Sequence, residues 1–128
     1  GDLSCSDCHA AHGSSADTLL KHEGVNNHCF ACHADKRGPF LWEHQPVSED
    51  CAACHRPHGS NHRALLTQTP PLLCQSCHDE SGHPSLAYTA GVATANGSSA
   101  NFARLRSCTN CHSQVHGSNH PSGALLNR

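Results

Sequence analysis

The stretch CAACHRPHGSNHRALL, residues 51–66, places two cysteines and three histidines within twelve positions. Cys51, Cys54 and His55 form a C-x-x-C-H unit, the spacing at which two thioether bonds hold a porphyrin while the adjacent histidine is placed under its iron. One porphyrin needs one histidine from this segment. His58 and His62 are therefore surplus to it, and the fold turns on where such surplus histidines go.

The same unit recurs four more times: Cys5, Cys8 and His9; Cys29, Cys32 and His33; Cys74, Cys77 and His78; Cys108, Cys111 and His112. All ten cysteines are used and none is left over. A single copy also fits half a zinc site, and ten cysteines by number alone fit a disulfide scaffold. Five copies that exhaust the cysteines point to covalent haem. His9, His33, His55, His78 and His112 are the expected proximal ligands.

Composition supports five c-type haems. The 128 residues contain five aromatic residues, no Met, ten Gly and seven Pro. A chain so poor in large apolar groups cannot offset its conformational entropy with side chains alone. Porphyrins supply the missing core. The expected fold is a multihaem cytochrome c, mostly coil, with short α-helices at the motifs, wrapped around a stacked haem chain with little or no β-sheet. A formal charge of −2 offers no basic field for nucleic acid. No apolar run approaches the roughly 18 residues of a membrane helix, and no signal peptide is visible. Because c-type haem is attached outside the cytoplasm, a processed or truncated chain is expected.

A longer period lies over the motifs. Cys-x-x-Cys-His-x-x-His-Gly-Ser starts at Cys5 and again at Cys51, and a Leu pair follows the Gly-flanked histidine by seven residues in both (Leu19-Leu20, Leu65-Leu66). A third start at Cys108 carries His116-Gly117-Ser118 and Leu125-Leu126. The reading is one pentahaem domain, residues 1–128, made of two-haem modules at 1–50 and 51–107 and a half module at 108–128. The Leu pairs are read as packing against haem faces.

Nine histidines remain for the sixth coordination positions, and the lack of Met excludes Met/His ligation. His12 follows His9 by three residues, His58 follows His55 by three, and His116 follows His112 by four. Residues so spaced share a helix face and cannot grip opposite faces of one haem. Each Gly-flanked histidine is expected on a neighbouring haem. With His44 and His83, which lie between motifs, they make the expected distal set: His12, His44, His58, His83 and His116. His22, His28, His62 and His120 are left as reserves. His62 reads as a surface or supporting residue, since Ala16 stands at its place in the first copy.

Several segments carry a family likeness. Cys32-His33-Ala34-Asp35-Lys36-Arg37-Gly38-Pro39-Phe40, Glu43-His44-Gln45-Pro46-Val47, Cys54-His55-Arg56-Pro57-His58-Gly59-Ser60 and the ending from Cys111 to Gly123 resemble decahaem cytochromes of the MtrA/DmsE/PioA type. The resemblance implies a periplasmic cytochrome that carries electrons across the outer membrane through a porin-like β-barrel, between a periplasmic donor and an outer-membrane or extracellular acceptor. With five sites rather than ten, the chain resembles a carboxy-terminal half.

Electron transfer is the expected function, with no catalysis. Two alternatives stand beside it: a multihaem reductase of nitrite, sulfite or tetrathionate with one open iron, and a self-associating protomer of an extracellular cytochrome filament.

Overall fold

The computed structural model describes residues 3–78, 108–121 and 123–127. Within them the chain forms four short α-helices: α1 (Cys5–Cys8), α2 (Val25–Phe30), α3 (Gln45–Glu49) and α4 (Leu72–Gln75). Single 3-10 turns lie at Asp17–Leu19, Ala34–Lys36, Cys51–Ala53, Arg63–Leu65 and Cys108–Asn110. The longest helix has six residues, far below the length at which a helix holds by itself in water. No strand forms among the described residues, where only three isolated bridges occur.

No apolar side chain is buried among the described residues. The mostly coil fold expected from composition is what forms, and backbone bonds and caps hold its local shape. Helix α1 starts in a capping box: the Ser4 N–H donates to Asp7 Oδ2 at 2.7 Å, and the Ser4 hydroxyl donates to the same oxygen at 2.8 Å. Both bonds favour the carboxylate and lower the Asp7 pKa. At Cys51, Asp50 Oδ1 caps the turn by accepting from Ala52 N–H at 2.8 Å.

Two longer-range links shape the chain. Asn26, in α2, donates to the carbonyls of Val47 and Ser48 at 3.0 Å each and accepts from Cys51 N–H at 2.7 Å. One side chain thus fixes the second motif against the start of the third. The second link joins Trp42 and Ser118, whose backbones exchange two bonds of 2.9 Å. Leu41 N–H also donates to Asn119 Oδ1 at 2.8 Å. Gly117 and Ser118 are buried in this joint. A β-carbon on Gly117 would stand 2.3 Å from the Phe40 ring, at a φ of +124°. Only glycine allows this approach.

Candidate haem sites

Each C-x-x-C-H folds as one tight turn. The histidine N–H returns to the carbonyl of the first cysteine at 2.8 Å for His9, 2.9 Å for His33, His78 and His112, and 3.0 Å for His55. This closes the two cysteines and the histidine into one compact unit in all five motifs.

A second bond orients the ring in three of them. The Nδ1–H of His9 donates to the Thr18 carbonyl at 2.8 Å, that of His55 to the Ala64 carbonyl at 2.9 Å, and that of His112 to the Leu125 carbonyl at 2.5 Å. A proton held on Nδ1 leaves Nε2 as the free donor to a metal. The carbonyls are delivered by an unusual backbone. Thr18-Leu19 and Ala64-Leu65 are consecutive residues in the left-handed region, with φ of 55°, 57°, 57° and 56°. Such conformations cost non-glycine residues energy and persist where the surroundings demand them. Antiparallel bridges of His9 with Leu20 and of His55 with Leu66 close the loops.

The Leu pairs also contribute backbone: the Leu19 and Leu65 carbonyls accept from Ala10 and Arg56 N–H, and the Leu125 carbonyl accepts from His112. Leu19, Leu65 and Leu125 remain 45%, 43% and 63% exposed. The repeat spacing noted in the sequence marked these segments; nothing in the side chains marked their carbonyls.

The Gly-flanked loops share one construction. Gly13, Gly59 and Gly117 have φ of +132°, +134° and +124°. The serine after each glycine accepts at 3.0 Å from the backbone N–H two residues on, at Ala16, His62 and His120. All three copies use the backbone amide of this position, which alanine supplies as well as histidine. That explains why Ala16 serves equally in the first copy.

The histidines carried by these loops reach across the chain. The His58 ring lies 5.9 Å from the His9 ring, and the His116 ring 6.2 Å from the His55 ring, centre to centre. His44 lies 6.0 Å from His78. Each pair couples a motif histidine with one from a remote segment. Metal–imidazole bonds of about 2 Å on both sides of one ion, plus roughly 1 Å to each ring centre, give about 6 Å. The three pairs fit an iron between them. His44 is also oriented, its Nδ1–H donating to the Val115 carbonyl at 2.9 Å. His116 is half-buried, and burial, followed by the nearby Lys36 charge, lowers its pKa and favours the neutral, metal-binding ring.

The remaining expected residues are placed differently. His12 is exposed and His33 stands at its motif, and no other ring lies against either among the described residues. His83 lies outside the described residues. His22 and His28, held in reserve, stand 5.5 Å apart; neither follows a C-x-x-C, so they do not form a motif-to-distal pair.

The motifs also adjoin one another. Burial, then Cys29 beside it, pushes the free thiol of Cys51 up to about 11. Burial, then Cys108, does the same to Cys74, again to about 11. Cys54 is raised by burial and then by Cys77. Once joined to haem these sulfurs are thioethers and no longer titrate. The pairings set the second motif beside the third and the fourth beside the fifth, with the third and fourth near enough for their thiols to interact electrostatically.

This arrangement has relatives. The doubled C-x-x-C-H motif family matches residues 1–38 and 44–83. The chain is 55% identical over 128 residues to the multihaem cytochrome MtrA of Shewanella baltica (strain OS185), covering 98% of this chain and 38% of that protein. It thus spans well under half the length of that relative. Repeated motifs that fold alike, paired imidazoles at the separation one iron sets, and the family match agree: the chain belongs to the doubled C-x-x-C-H family and is a multihaem cytochrome c with covalently bound haem.

Proposed function

We infer that the chain is an electron-transfer wire of five covalently bound haems, organised as two-haem units at 1–50 and 51–107 and a half unit at 108–128. Its bound haem irons would exchange single electrons. Ligation at every iron is by histidine pairs: His58 completes the first haem, His116 the third and His44 the fourth. His83 serves another of the irons. Cys5, Cys8, Cys29, Cys32, Cys51, Cys54, Cys74, Cys77, Cys108 and Cys111 carry the thioethers.

The observation that carries this reading is the set of three remote histidine pairs at 5.9, 6.0 and 6.2 Å. A histidine that reaches from one motif loop to another's iron ties neighbouring haems together and keeps them close. An iron held by two imidazoles has no position for substrate, so these three sites support transfer and not bond chemistry. Backbone carbonyls hold the ring tautomers, which limits movement when the charge on the iron changes.

By likeness to MtrA, the reading extends to a periplasmic protein of an outer-membrane conduit, passing electrons between a periplasmic donor and an extracellular or outer-membrane acceptor, with a porin-like β-barrel as partner. Five haems in the intact mass, reversible reduction and reoxidation of all of them, and no consumption of nitrite or tetrathionate under a chemical reductant are the expected results. Fewer than five haems, or turnover of either substrate, would replace this reading with another.

A further inference from the structure

A pair of charges stands where the repeat does not require one. The 3-10 turn Ala34–Lys36 follows the second motif, held by Lys36 N–H on the His33 carbonyl at 3.0 Å and Arg37 N–H on the Ala34 carbonyl at 3.2 Å. Within it Asp35 and Lys36 form an ion pair of 2.8 Å. Lys36 stands three residues after His33, whereas Ser81 stands three after His78 in the second unit. The lysine therefore belongs to this joint and not to the repeated frame.

The chain beyond the turn folds over a small cleft lined by Lys36, Arg37, Phe40, Glu43, His44 and His116. Phe40 closes on Gly117, and His44 Nδ1–H donates to the Val115 carbonyl at 2.9 Å. These contacts fix the basic turn of the first unit beside the half-buried His116, whose ring stands 6.2 Å from that of His55. Lys36 is near enough for its charge to act on the His116 ring, ahead of the opposing charge of Asp35. Exposure gives the reason: the Asp35 side chain is 69% exposed and that of Lys36 45%, so solvent screens the carboxylate more. The pair therefore presents a positive field to His116.

We propose that Lys36 sets the reduction potential of the haem held between His55 and His116, keeping it higher than the same two imidazoles would alone. The proposal rests on the haem ligation inferred above. Two neutral imidazoles and a dianionic porphyrin leave the ferric centre with one net positive charge. One electron from a neighbouring ferrous haem makes it neutral, the donor iron becomes ferric, and no bond forms or breaks. A fixed cation beside the centre disfavours the charged ferric form and so favours the electron's arrival. Where the axial ligands are alike, local charge is a lever left to tell one haem from the next. In a wire of like-ligated haems, Lys36 makes the third a place where an electron rests.

The test is redox potentiometry of the holoprotein, followed by magnetic circular dichroism. His116→Met serves as the background, because there the third haem alone loses its second imidazole and can be followed by itself. Lys36→Gln and Lys36→Glu are expected to lower the potential of that haem, the second more than the first. Asp35→Asn is expected to raise it, and Lys36→Arg to leave it in place. With His116 intact, the same substitutions are expected to move one haem potential in the same directions, by less at high salt. No shift with Lys36→Gln, a fall with Asp35→Asn, or equal shifts with Lys36→Gln and Lys36→Arg would each overturn the proposal, since a lysine acting by shape alone gives no dependence on the sign of charge. His116→Met is also the control for the ligation beneath it: a spectrum in which no haem changes its ligands would refute that ligation instead.

Discussion

The imidazole of His58 faces the imidazole of His9 at 5.9 Å, although 49 residues separate them and His55 lies only three residues away. The loop after the third motif thus sets its histidine against the motif histidine of the first. His116 extends the relationship, standing 6.2 Å from His55.

Removing His58 and His116 together separates this arrangement from one in which both serve a single iron. Each single alanine substitution is expected to convert one low-spin haem to high-spin, and the double substitution two. Counting high-spin haems in the ferric spectrum is the measurement; a double variant with only one would refute the assignment.

Gly117→Ala tests the joint that carries His116. Its new β-carbon would meet the Phe40 ring at 2.3 Å, and the backbone stays at a φ of +124°. A loss of about 1–3 kcal/mol is expected from the strained backbone, with weakened His116 ligation. Combining it with Phe40→Ala removes the overlapping ring and leaves the backbone strain and a tight 3.0 Å approach to the remaining β-carbon. Thermal unfolding followed at the haem absorption band reads both.

Ser60 and His62 make a contrasting pair. Ser60 Oγ donates to the Leu66 carbonyl and accepts from His62 N–H. Ser60→Ala therefore removes two bonds from the loop that presents His58, an expected cost of roughly 1–2 kcal/mol. His62→Ala leaves the backbone bond intact, and neither stability nor spin state is expected to change. Denaturant midpoints and ferric spectra of the two variants decide the matter.

Acid should loosen the His116 joint. Burial lowers the His116 pKa from its ordinary value of 6.5, and a bond to iron would hold the ring unprotonated in the same direction, so below that value the unfolded chain binds the proton more readily than the folded one. Stability is then fully present above about pH 6.5 and falls as the pH drops below it. His116→Phe, which cannot be protonated, should flatten part of this slope. Urea midpoints between about pH 5 and 8 for the two proteins measure the difference; parallel slopes would count against it.

Much of this architecture was legible without coordinates because the chemistry is local. Two cysteines and a histidine within five positions determine where a haem is attached. Scarce apolar side chains and abundant Gly and Pro determine that short helices and coil must surround it. The expectation that His55 and His58 share a helix face does not describe the backbone, which runs from a bridge at His55 into a turn at His58; that turn, and not a helix, sends the two rings to different places.

Which motif histidine His58 stands against was not legible. That choice spans 49 residues, and sequence spacing carries no information about how the intervening loops close. The same holds for His44, brought to His78 across 34 residues, its ring oriented by the Val115 carbonyl. The Leu pairs show the limit most clearly. Their periodicity marked these segments, but only the fold shows that the carbonyls of Thr18 and Ala64, just ahead of two of the pairs, orient the motif rings, delivered by left-handed turns at Thr18-Leu19 and Ala64-Leu65. Attachment is set by covalent geometry over a few bonds and so is written in the sequence. The pairing of a motif histidine with a second imidazole is set by a contact between distant segments, and only tertiary structure decides it.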